Sequence, residues 1–125
     1  MVATSFDAVE PGLRARTERV IDDSLLTRHV GGRGLFATPS MILLMEQAAH
    51  SAVEALLPPG HTTVGYEVCV QHRAPALAGE RILVTARLEE VTGNRLRFAV
   101  ECQKDGGDRL VGSGTHKRAI VAPPG

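Results

Sequence analysis

Three residues of this chain have side chains and spacing suited to chemistry: Thr38, Glu46 and His72. Glu46 falls within Thr38-Pro39-Ser40-Met41-Ile42-Leu43-Leu44-Met45-Glu46-Gln47-Ala48-Ala49-His50-Ser51-Ala52-Val53-Glu54-Ala55-Leu56-Leu57, a stretch whose spacing predicts a helix. At about 100° per residue, Ile42, Met45, Ala49, Ala52, Val53, Leu56 and Leu57 form an apolar arc. Glu46 lies inside that arc, about 20° from Val53 and about 40° from Ile42. A carboxylate on an apolar face costs free energy unless it is paired, hydrogen-bonded or neutral, and desolvation makes it more basic. It is then equipped to act as a base or as a nucleophile. The structural alternative is a rim glutamate that snorkels to water.

His72 ends the run Val68-Cys69-Val70-Gln71-His72-Arg73. A histidine at a strand end beside a helix suits proton transfer, although an exposed strand-end histidine has the same signature. Thr38 reads as the helix N-cap, with Pro39 at the first helical position. Gly65 interrupts a strand-like run, which signals either a bulge or a ligand's close approach to a backbone N–H. His50 follows Glu46 by one turn, but two potential ligands without a third do not make a metal site. Gly112-Ser113-Gly114-Thr115-His116-Lys117-Arg118 carries His116 and Arg118 on a segment whose glycines allow tight packing or a ligand's approach. No nucleophile-elbow, phosphate-loop or dinucleotide motif is present.

The elements that position these residues follow from the pattern. Residues 1–11 are expected to be loosely held, Leu13 to Ile21 to be an edge strand, and the glycine-rich Leu26 to Ala37 a flexible connector or lid. The helix runs to Leu57, where Pro58-Pro59-Gly60 stops it. Four strands follow: Thr63 to Arg73, Arg81 to Val91, Arg95 to Gln103 and Arg109 to Val121. Alternation of Ile82, Val84, Ala86 and Leu88, and of Leu96, Phe98, Val100 and Cys102, gives each strand one apolar face. Short turns imply antiparallel hairpins. The expected class is α+β, an antiparallel sheet of about five strands around one long helix, in one domain spanning 1–125. Such a layer leaves sheet edge to cover, which favours a homodimer.

Composition narrows the function. With 14 basic and 14 acidic residues the formal net charge is zero, so neither nucleic acid nor an anionic membrane is an expected partner. One Tyr, three Phe and no Trp leave little for base stacking. Cys69 and Cys102 stand apart, so no metal site is expected and a reduced, cytoplasmic chain is the simpler reading. The start of the chain lacks signal-peptide character, and the apolar run Met41 to Met45 is too short to cross a bilayer.

The set Thr38, Glu46, Gly65, His72 and Gly112 to Ala119 resembles the fluoroacetyl-CoA thioesterase family of hotdog-fold enzymes. Eight residues separate Thr38 from Glu46 and twenty-six separate Glu46 from His72, as in that family's threonine, glutamate and histidine triad. The resemblance implies a hotdog homodimer that hydrolyses an acyl-CoA at the subunit interface, with no cofactor beyond the CoA of the substrate. It implies that Thr38, Glu46 and His72 are catalytic, that Gly65 contacts the acyl carbonyl, and that Arg118 contacts substrate or the interface. Thr27 to Ala37 departs from the family: it is shorter, rich in glycine, and offers only Phe36 against a small acyl group. The expected substrate is therefore a small acyl-CoA in general. Hydration or dehydration of an acyl-CoA, and non-catalytic acyl-CoA binding, are the alternatives on the same fold.

Overall fold

The computed structural model describes residues 6–122. Strand β1 is Arg14–Val20, and two short strands, β2 (Leu26–Thr27) and β3 (Leu35–Phe36), precede helix α1 (Thr38–Val53). Strands β4 (Thr62–His72), β5 (Arg81–Thr92), β6 (Arg95–Lys104) and β7 (Arg109–Val121) complete the chain, and 3₁₀ turns occupy Asp23–Leu25, Glu54–Leu56 and Asp105–Gly107. The long strands form one antiparallel sheet in the order β1-β5-β6-β7-β4. One helix packed on a five-stranded sheet is the α+β arrangement expected.

Alternation builds the core as anticipated: Ile82, Val84, Ala86 and Leu88 of β5 and Leu96, Phe98, Val100 and Cys102 of β6 are all buried. Facing them are Met41, Leu44, Met45, Ala48, Ala49 and Val53 of α1. Each large side chain so buried stabilises the fold by about 1.5–3 kcal/mol. Gly112 has a packing role, since a Cβ there would lie 2.5 Å from Met41 Sδ. No helix among the described residues is long and apolar enough to cross a membrane.

Four expectations require correction. Thr38 is not the N-cap: Ala37 holds that position, with no side-chain cap bond, and the Thr38 hydroxyl is turned to His72 instead. Glu46 is half-buried at the margin of the helix's packed stripe, about 60° beyond Ala49. The misleading neighbour was Val53, which is buried but leaves helical geometry at φ −124°, ψ −17°, where the helix ends before Leu57. The Leu26–Ala37 segment is an anchored hairpin, in which Leu26 pairs with Phe36, Phe36 N–H donates to the Ala76 carbonyl, and Ala37 N–H donates to the Leu25 carbonyl. Of residues 1–11, the first five lie outside the described residues; in the remainder Val9 is buried in the core and Phe6 packs against it.

Candidate active site

The β2–β3 hairpin, the start of α1 and the end of β4 enclose a cavity of about 730 Å³, a size suited to a small organic ligand. Thr38, His72, Phe36, Val30 and Pro75 are among its lining residues. Thr38 Oγ1 lies 2.8 Å from His72 Nδ1. The pairing follows from topology, because β4 is an edge strand whose last residue arrives beside the first turn of α1. Phe36, 2% exposed, sets its ring edge-on to the imidazole with centroids 5.9 Å apart. Burial lowers the His72 pKa, with the Ala74 backbone acting against it, so the ring is neutral near pH 7. His72 Nε2 is buried without a hydrogen-bond partner, the one such side-chain nitrogen or oxygen among the described residues. An orphan of this kind is costly in a folded protein unless something else meets it.

Glu46 belongs to a second group, two turns further along α1. It shares a cleft of about 200 Å³ with Leu43, Gln47, His50 and Arg118. Arg118 is 7% exposed; its Nε donates to Thr63 Oγ1 at 2.8 Å and its Nη2 to the Thr63 carbonyl at 2.9 Å. Burial lowers the Arg118 pKa, and the nearby negative charges of Glu46 and then Glu54 oppose that shift. Gly65 sits over this group, immediately before a bulge that shifts the β4–β7 register between Gly65 and Glu67. A Cβ on Gly65 would lie 2.8 Å from His116 Cε1 and 3.2 Å from Arg118 Nη1.

The chain therefore brings Thr38, His72 and Phe36 together, and separately Glu46, Arg118 and Gly65. The rise of α1 between Thr38 and Glu46 is about 12 Å, too far for one carboxylate to meet the Thr38–His72 pair directly. Sequence reasoning left His116 undecided between packing and binding and did not single out Thr63. Both are buried polar residues on the sheet's helix-facing side, and the alternation His116, Arg118, Ile120 along β7 was the available signal.

The family model for fluoroacetyl-CoA-specific thioesterase (FlK) matches residues 20–123. A fluoroacetyl-CoA thioesterase from Streptantibioticus cattleyicolor is 42% identical over 87 residues, which are 70% of this chain and 61% of that protein. The match thus spans about three-fifths of that relative's length. The solved structure of the fluoroacetyl-CoA thioesterase FlK matches with a TM-score of 0.82 at 33% identity, covering 91% of this chain and 89% of the other. A hot-dog-like protein from Thermanaerovibrio acidaminovorans matches in fold, with a TM-score of 0.84 at 23% identity over 94% of this chain and 87% of its own. The arrangement of helix and sheet is thus the hotdog fold, and the chain belongs to the fluoroacetyl-CoA-specific thioesterase family.

Proposed function

We propose that the protein hydrolyses a small acyl-CoA thioester to the free acid and CoA. The observation that carries this reading is the buried, unpartnered His72 Nε2 beside Thr38 in a substrate-sized cavity. A thioester's leaving thiol has a pKa near about 8.5, so its departure needs little acid assistance. Supplying the nucleophile and stabilising the oxyanion are the demanding steps. Glu46 takes a proton from water while the water oxygen bonds to the acyl carbon. The carbonyl electron pair moves to oxygen, where the Gly65 N–H meets it. On collapse the C–S bond breaks, and His72, neutral at rest, relays to the departing sulfur the proton that Glu46 took from water, so both groups return to their starting states. Direct attack by Glu46 through a mixed anhydride gives the same products. Single turnover in heavy-oxygen water separates the two routes, because only the anhydride route leaves label in Glu46.

This mechanism needs Glu46 beside Thr38 and His72, and we assign the missing contact to a homodimer. Two antiparallel α1 helices crossing near residue 42, the midpoint of 38 and 46, set Thr38 of one protomer opposite Glu46 of the partner subunit. The 50% exposure of Leu43 on α1, and the exposed Val64, Tyr66 and Val68 on β4, support that association. Arg118 and Phe36 are read as substrate contacts. Cys69 and Cys102 are free thiols, which fits the cytoplasm.

A thiol-release screen over short, branched and aryl acyl-CoAs tests the reading. The expected result is turnover of a short acyl-CoA that falls by about 10³-fold or more in Glu46→Gln, with the thermal midpoint unchanged. Near-normal turnover in that variant removes Glu46 from the mechanism. Absence of thiol release across the whole panel removes the thioesterase reading itself.

A further inference from the structure

Arg118 is held by a chain of polar contacts, and at the His116 end the partner types determine their direction. At one end the Glu67 carbonyl only accepts, so His116 Nδ1, 2.9 Å away, carries the proton and donates. His116 Nε2 is left as the acceptor for Arg118 Nη1–H at 3.1 Å. At the other end His50 Nε2 lies 3.3 Å from a Glu54 carboxylate oxygen. His50 Nδ1 lies 3.2 Å from Thr63 Oγ1, and Thr63 Oγ1 accepts from Arg118 Nε. Of the five guanidinium donors, three are used, and one remains on each terminal nitrogen.

We infer that His116 is a positioning residue: with Thr63 it grips Arg118 from opposite sides, leaving the two unused donors for an oxygen of the bound acyl-CoA. Three features support this. His116 is 1% exposed and cannot swing away. Its other nitrogen is tied to the carbonyl just after the β4 bulge, so one ring fixes both Arg118 and the backbone that presents Gly65. Gly65 has no room for a Cβ over the His116–Arg118 pair, so the backbone rests directly on the grip. A guanidinium held in advance loses less freedom on binding, which strengthens ground-state affinity.

The inference rests on Arg118 being a substrate contact, and its test keeps the two claims apart. The probe is acetonyl-CoA, a ketone analogue that cannot be hydrolysed, with its dissociation constant measured by calorimetry on the full chain. His116→Gln retains an acceptor near Nε2, whereas His116→Asn reaches only toward the Nδ1 position. His116→Gln is expected to bind within about threefold of wild type, and His116→Asn about tenfold more weakly. In an Arg118→Ala background the His116→Asn change is expected to add less than about twofold, since the group it positions is gone. Equal losses in the Gln and Asn variants, or a full tenfold loss in the Arg118→Ala background, overturn the positioning role in favour of a merely structural one. Wild-type affinity in Arg118→Ala overturns Arg118 as a contact, and the positioning role with it, while leaving thiol release by the wild type to be judged on its own assay. Thermal melts of all four variants confirm that binding is compared between folded proteins.

Discussion

The two outer strands of the sheet are built in opposite ways. β1 reads Arg-Ala-Arg-Thr-Glu-Arg-Val, with Arg14, Arg16 and Glu18 exposed and Glu18 paired to Arg81 at 3.5 Å. Charges along an edge discourage another strand from adding to it. β4 is longer, carries Glu67 as its one acidic residue and no basic residue before His72, and exposes Val64, Tyr66 and Val68. A long edge of β-branched and aromatic residues invites pairing. The protected edge belongs to the fold alone, whereas the unprotected one carries Gly65 and His72. The contrast explains why the two halves of the candidate site stand apart in one chain, if the open edge is where a second chain completes them.

Charging the open edge should break this most severely. Val68→Glu places a carboxylate on a residue that is 37% exposed, so the protomer's own stability should change by only about 0.5 kcal/mol. Light scattering should then report a monomer, and thiol release should fall by about 10³-fold, the loss expected when a catalytic group is missing. The matching change on the protected edge, Arg16→Glu, should alter neither mass nor turnover by more than about twofold. A Val68→Glu protein that stays dimeric and active would place the interface elsewhere.

Next in size is His72→Gln, which keeps a polar side chain in the cavity but removes the titrating ring. Turnover should fall by about 10²–10³-fold with dimerisation intact, which separates loss of chemistry from loss of assembly. Gly65→Ala should be milder and mixed. Its Cβ meets His116, which two hydrogen bonds hold in place, so a cost of about 1–3 kcal/mol in urea unfolding should accompany about a tenfold loss of kcat. Full activity in Gly65→Ala would show that the backbone there does not meet the substrate.

Strand alternation made β5 and β6 readable because the face of each core residue there follows from parity alone. The helix was harder to read. Met41, Leu44, Met45, Ala48 and Ala49 face the sheet, but the wheel assigned equal weight to Val53, Leu56 and Leu57, which lie where the helix loosens and ends. Glu46 was therefore singled out by an apolar arc slightly rotated from the true one. Thr38 looked like a cap because local spacing carries no information about an edge strand arriving from residue 72. The Arg118–Thr63 contact was invisible for the same reason, as it spans 55 residues of sequence and depends on the β4–β7 register.

The smallest effect distinguishes the two histidines through pH. Burial lowers the pKa of both His72 and His116 below the ordinary 6.5; Arg118 pushes His116 further down, while the Glu67 backbone and Glu46 oppose the shift. The unfolded chain therefore binds more protons than the folded one between the folded values and about 6.5. Stability should be fully present above about pH 6.5 and should be lost as the pH falls toward the folded values. His116, enclosed in its network, should contribute the steeper loss in that window, and His72, closer to solvent, the smaller one. Urea midpoints measured at pH 7.5 and 5.5 test this directly. His116→Gln should flatten the acid-side loss more than His72→Gln does, because the more enclosed ring is the costlier one to charge. The reverse order would mean that the cavity beside Thr38 excludes water better than the network beneath Gly65. His72 would then be the more strongly desolvated base, and the under-satisfied end of the site would hold more of its electrostatic strain.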